Sequence, residues 1–118
     1  MARSERNKLK LLYLKQLLEE QSDENHPLTA QNILDYLSEH GIQAERKAIY
    51  HDIACLQEFG MDILHESGKV RGYYLAAREF ELPELKLLVD AVQSSRFLTS
   101  KKSWELIEKL GRLASIHE

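Results

Sequence analysis

The sequence predicts a mainly α-helical fold carrying one small β-hairpin: three helices, the hairpin, and then a hairpin of two further helices. Three observations predict it. Apolar residues recur at helical spacing in five separate stretches. After Gly60 the pattern switches to two short segments of strand character around the glycine-flanked loop Ser67 to Gly72. Past Arg78 the helical period returns and holds almost to the last residue.

Leu11, Leu14 and Leu18, with Leu17 beside them, place an amphipathic helix over residues from about 7 to 20, and the polar run Gln21 to His26 ends it. Pro27 holds His26 in extended geometry. Thr29 is a favoured N-cap for a second helix whose apolar face is Ile33, Leu34 and Leu37 and whose stop is Gly41. After the short turn Gly41 to Ala44, a third helix covers about 45 to 59, with Ile49, Ile53 and Leu56 at i, i+4 and i+7 and Gly60 as its stop. Steps of about 100° per residue gather those three on one side and put Lys47, Tyr50, His51 and Ala54 on the other.

Met61 to Glu66 then takes on strand character, and Tyr73 to Leu75 suits a returning strand, with Tyr73 and Tyr74 packing one on each face. The hairpin tip carries Lys69 and Arg71. Pro83 suits a first helical position ahead of Leu85, Leu88, Val89 and Val92. Thr99 or Ser100 caps a last helix with Trp104, Ile107, Leu110, Leu113 and Ala114 on its apolar side. The chain thus divides into residues 1–78 and a helical extension, 79–118.

Composition narrows the function. With 118 residues, 43% apolar and 30% charged, the chain holds one modest core or a small domain with a helical appendage. No stretch approaches the roughly 20 apolar residues of a bilayer-spanning helix. The basic start, Arg3, Arg6, Lys8 and Lys10, lacks a cleavage site, so no signal peptide and a cytoplasmic location are expected. Cys55 is the single cysteine, which excludes an internal disulfide, and its place on the flank of the third helix predicts a small buried thiol. Histidines 26, 40, 51, 65 and 117 show no ligand spacing, so neither metal nor cofactor is expected. Asp52, on the same flank, is read as making a structural hydrogen bond or ion pair rather than acting as a catalytic acid. No glycine-rich phosphate loop, serine elbow or carboxylate pair is present to carry catalysis, and no enzymatic activity is expected.

The net charge of -3 runs against polyanion binding, yet the charges are segregated. Residues 1 to 15 hold five Lys or Arg against one Glu; Arg46, Lys47 and His51 cluster on the third helix; Lys69 and Arg71 sit on the hairpin tip. Three helices with a tight turn between the second and third, followed by a hairpin, make a winged helix-turn-helix, whose third helix can enter a DNA major groove. In that arrangement Arg46 and Lys47 reach guanine edges or phosphates, Tyr50 a phosphate or a thymine methyl, and His51 a phosphate. Thr29 and Gln31, at the start of the second helix, are expected to clamp phosphate, and Lys69 and Arg71 to flank the minor groove. The expected partner is double-stranded DNA. A competing reading is a protein-interaction winged helix that never meets DNA, with the cationic stripe only a solvated face.

The run Glu45 to Ile53 (ERKAIYHDI), followed by Leu56, Phe59 to Ile63 (FGMDI) and the Gly72 to Leu75 segment (GYYL), resembles the amino-terminal module of bacterial WYL-domain transcriptional regulators, which is similar to the DeoR-type winged helix. The resemblance extends through Phe80 to Leu85 (FELPEL) and the helices that follow. It implies operator binding as a homodimer, and a carboxy-terminal WYL effector domain that answers to ligands or nucleic acid. Nothing after Ser115 has the length for such a domain, so a truncated or a naturally short regulator is expected. Two positions depart from the family: Ala48, where relatives often carry a hydroxyl, and His51, where they often carry a formal charge. The apolar faces around Leu88, Val92, Trp104, Ile107 and Leu110 are expected to pair with a second copy rather than fold back. A small effector between those helices is a further reading that the residues leave open.

Overall fold

In the computed structural model, residues 3–68 and 71–118 are described, with side chains from Arg6 onward. The element order is α1 (Arg3–Gln21), α2 (Ala30–Glu39), α3 (Arg46–Phe59), β1 (Ile63–Glu66), β2 (Gly72–Leu75), α4 (Leu82–Gln93) and α5 (Ser100–Gly111). The described chain is therefore mainly helical with one small antiparallel sheet, as the periodicities predict. α1 starts earlier than its leucines indicate, because the charged residues ahead of them are good helix formers that leave no apolar signature.

Each of the first three helices gives one stripe to a common core: Leu14, Leu17 and Leu18 from α1, Ile33 and Leu37 from α2, and Ile49, Ile53 and Leu56 from α3. Ile42 in the α2–α3 turn and Ile63 on β1 close it. The expected cap on α2 is present as a reciprocal pair: the Asn32 amide donates to Thr29 Oγ1 and the Thr29 amide to Asn32 Oδ1, both at 3.0 Å. Gly60 ends α3 at φ 126°, where a side chain would be strained, and its amide bonds the carbonyls of Leu56 and Gln57. The Met61 amide also bonds the Leu56 carbonyl, so strand pairing begins only at Ile63.

In the sheet, Ile63 faces Leu75, Leu64 faces Tyr74, His65 faces Tyr73 and Glu66 faces Gly72. Leu28, just before α2, adds a third partner: its amide donates to the Tyr73 carbonyl at 2.8 Å and its carbonyl accepts from the Tyr73 amide at 2.7 Å. The linker into α2 is thereby fixed to the hairpin by backbone bonds.

α4 opens with a capping box between Glu81 and Glu84, with Pro83 in its first turn, and Thr99 caps α5 by accepting from the Lys102 amide. These two helices pack on each other and bury little else: Leu85 is buried on α4, α5 has no buried residue, and Ala114 is buried just past its end. The hairpin consequently stands out from the body. The radius of gyration is 16.7 Å, against about 13.5 Å for a compact chain of this length. Its attachment is polar: Arg78 donates to the carbonyls of Glu19 and Ser22 at 2.7 and 2.6 Å, and the Ile116 amide donates to the Glu20 carbonyl at 2.7 Å. These bonds also satisfy carbonyls that the end of α1 would otherwise leave orphaned. Among the described residues no helix is long and apolar enough to cross a membrane.

Candidate nucleic-acid interface

The side chains singled out on the third helix lie where its period puts them. Ile49, Ile53 and Leu56 are 0%, 2% and 3% exposed, while Arg46, Lys47 and His51 are exposed and Tyr50 is 47% exposed. Lys47 and His51 have no hydrogen-bond or ion-pair partner among the described residues. Arg46 leans toward α2, its Nη2 standing 3.4 Å from Gln31 Oε1, and Gln31 Nε2 in turn donates to Asp35 at 2.8 Å. Thr29, Gln31 and Arg46 are thus gathered where the starts of α2 and α3 meet. The Thr29 oxygen is occupied as an acceptor, which leaves its own hydroxyl proton free to donate.

An aromatic run joins α3 to the hairpin. Tyr50 and Tyr73 have ring centroids 6.4 Å apart, and Tyr73 and His65 are 4.6 Å apart. Tyr73 is half-buried against the core and Tyr74 is half-buried on the opposite sheet face, as the pleat requires. Burial, and then the neighbouring Tyr50 hydroxyl, push the Tyr73 phenol above its ordinary value, so it stays a neutral hydrogen-bonding group. His65 is the residue that sequence reasoning left out of this surface. Its register opposite Tyr73 is the signal that would have found it. Arg71 is exposed at the hairpin, and Lys69 lies outside the described residues.

The basic start of the chain is less available than its composition implies. Lys10 Nζ lies 3.1 Å from Asp52 Oδ2 in a mostly buried ion pair, the structural role expected of Asp52, although the approach is not aligned as a hydrogen bond. Lys15 pairs with Glu19, and the Arg6 guanidinium donates to the Gly41 carbonyl in the α2–α3 turn. Of the cations with described side chains in that stretch, Lys8 alone has no such partner among the described residues.

Cys55 is exposed, not buried. At 100° per residue it falls roughly 130° from the centre of the Ile49, Ile53 and Leu56 stripe, beyond the reach of the core. The expected pairing surface on α4 and α5 divides in two. Leu88 and Trp104 are 36% and 67% exposed, whereas Val92, Ile107 and Leu110 are half-buried. Leu87 at 71% and Phe97 at 98% are more exposed than any of the five and were not singled out. Leu85, Val89 and Val92 already fill the inward stripe of α4, so Leu87 is a surplus apolar residue, which is the readable sign. An open cleft lined by Leu82, Leu85, Val89, Leu110 and Ala114 runs between the two helices. Among the described residues no group of three or more His, Cys, Asp or Glu side chains stands close enough to share a metal ion.

No protein-family model, curated protein or solved structure matches this chain.

Proposed function

We propose that residues 1–78 form a winged helix-turn-helix that binds double-stranded DNA in sequence-specific fashion, and that the protein regulates transcription without an enzymatic activity of its own. One observation carries the reading: α3 buries a full apolar stripe while Lys47 and His51 stand free on its other side, beside Arg46 and a half-exposed Tyr50. Side chains of these types on an exposed helix, followed by a hairpin, match what base edges and phosphates in a major groove demand. Leu28 pairing with Tyr73 supports it, since it ties the hairpin and the start of α2 into one frame around that helix. Thr29 and Gln31 act as phosphate clamps, and Lys69 and Arg71 supply the wing's contacts to backbone or minor groove.

The protein acts as a homodimer joined through α4 and α5. The accessible surface is 8476 Å², against about 6,600 Å² for a compact monomer of this mass. The excess exceeds the roughly 800 Å² that each partner buries in a standard interface. Leu88 and Trp104, with Leu87 and Phe97 added, provide the apolar contact, while Val92, Ile107 and Leu110 support it from within the hairpin. Twofold pairing sets two recognition helices on successive turns of a palindromic operator. In a longer form of the chain, a WYL effector domain would follow α5.

The test is selection from a random duplex pool of about 30 base pairs, long enough for two half-sites, followed by titration of the enriched duplex at two salt concentrations. Binding that weakens steeply with salt and is lost in Lys47→Glu is the expected result. Failure to enrich any sequence, with no binding at low salt, would overturn the reading in favour of a protein-docking domain.

A further inference from the structure

Among the described residues the buried polar side chains are Ser22, Asp23 and Ser115, and all three meet at one junction, where the tail after α5 lands on the loop between α1 and α2. Burying polar groups is costly unless each finds a partner. Here each does. Ser22 Oγ donates to the Leu18 carbonyl at 2.6 Å and accepts from the Leu75 amide of β2 at 3.0 Å. Ser115 Oγ donates to Asp23 Oδ2 at 2.6 Å, and Asp23 Oδ1 accepts from the Asn25 amide at 2.9 Å and from His26 Nδ1 at 2.8 Å. A carboxylate only accepts, so the His26 proton sits on Nδ1. The His26 ring then stacks on His117 of the tail, with centroids 3.7 Å apart and planes 8° from parallel.

That loop has two anchored ends. The tail holds Asp23 and His26, and β2 holds Leu28 through its paired bonds with Tyr73. The next residue is Thr29, the cap of α2, and two residues on is Gln31, which meets Arg46 at the start of α3. Because the α4–α5 hairpin buries so little apolar surface on the body, this polar junction rather than a hydrophobic interface sets where the hairpin sits. The same bonds set where α2 begins.

We propose that Ser115 and His117 are positioning residues for DNA binding: through Asp23 and His26 they place the amino terminus of α2 against α3, and so transmit the disposition of the α4–α5 hairpin to the DNA-facing side chains. The inference rests on the DNA-binding reading above. Neither residue need touch DNA.

The experiment compares the full chain with Ser115→Ala/His117→Ala and with Ser115→Thr, which keeps the hydroxyl. Hydrogen exchange is followed at the His26, Leu28 and Asn32 amides, with Ile53 as an internal control, and affinity is measured for the duplex enriched by selection. In the double variant the three loop amides exchange faster while Ile53 does not change, and affinity falls about tenfold, within the usual range of coupling between sites. The slope of affinity against salt stays the same because no Lys or Arg is removed, and the clamps that shift with α2, Thr29 and Gln31, are uncharged. Ser115→Thr retains both protection and affinity. Wild-type exchange and affinity in the double variant would overturn the inference, as would faster exchange at Ile53 together with the loop, which marks a loss of overall stability only. If the wild-type chain enriches no duplex, the DNA-binding reading itself fails, and the positioning role falls with it.

Discussion

Gly72 lies so close to Leu28 that a Cβ on it would stand 2.4 Å from the Leu28 carbonyl carbon, and its φ is 142°. Both features demand glycine, and the atom in the way is backbone that is itself held by Tyr73 on either side. Gly72→Ala is therefore expected to destabilise the fold by roughly 2 to 4 kcal/mol, combining steric overlap with a left-handed backbone. Urea unfolding checks it: the midpoint drops with little change in slope. A midpoint equal to wild type would mean that the hairpin and Leu28 are not paired in solution.

Lys47 touches nothing that holds the fold together. Lys47→Ala should leave stability within about 0.5 kcal/mol of wild type, while lowering the magnitude of the salt slope of DNA binding by about 0.9, the contribution of one phosphate contact. Thermal melts and titrations over a salt series measure the two effects separately. A base contact by Lys47 would instead relax sequence preference at one position and leave the slope unchanged.

Cys55 is expected to react with a thiol reagent in the native protein, at the same stoichiometry as in denaturant, because it is exposed on α3. Protection of the thiol until unfolding would contradict its placement.

How much was legible beforehand divides along a physical line. Local signals carried far: the 3.6-residue stripes of α1, α2 and α3, the Thr29 cap and the glycine stops lie where their spacing put them. They need only nearest neighbours on the chain. The junction of Ser22, Asp23, His26, Ser115 and His117 was unreadable, since its bonds join residues as far as 92 positions apart and none of these types is rare at a surface. Lys10 shows the same limit from the other side. Composition counts it only as one of the basic residues at the start of the chain, whereas its commitment to Asp52 joins α1 to α3, a pairing that no local pattern encodes. Cys55 departs from expectation for a simpler reason: a flank position predicts burial only where a neighbouring element covers that flank, and roughly 130° from the stripe centre the thiol stays exposed.

The Asp23 carboxyl sets an acid limit on stability. Burial alone would raise its pKa, but the Ser115 hydroxyl, the His26 ring and the Asn25 amide outweigh burial and hold it below the ordinary aspartate value of 3.8. A carboxyl with a depressed folded value binds protons more readily when unfolded. Its stabilisation is thus complete above the ordinary value and is lost as pH falls toward and through the folded one. Unfolding free energy should accordingly decline below about pH 5. In Asp23→Asn, which is less stable at neutral pH, that decline should be shallower. Parallel acid limbs in the two proteins, followed by urea titration at each pH, would show that Asp23 is not bonded as described.

Leu87 and Trp104 are open enough to carry charge without harm to the monomer, which makes them the means of separating pairing from folding. Leu87→Glu and Trp104→Glu are expected to keep the helical content and the melting behaviour of the isolated chain while shifting sedimentation from dimer to monomer, because a carboxylate buried between two apolar faces has no partner. Ile107→Glu should behave differently. It lies half-buried on the inner side of α5, so the substitution disrupts the α4–α5 hairpin itself and lowers helical content as well. DNA affinity supplies the second readout. A monomer loses the gain from two linked contacts, so Leu87→Glu should weaken binding to a two-site duplex by about a hundredfold or more while leaving binding to a single half-site unchanged. A variant that stays dimeric by sedimentation would move the association surface off α4, and one that is monomeric yet binds the two-site duplex at full strength would detach dimerisation from DNA recognition.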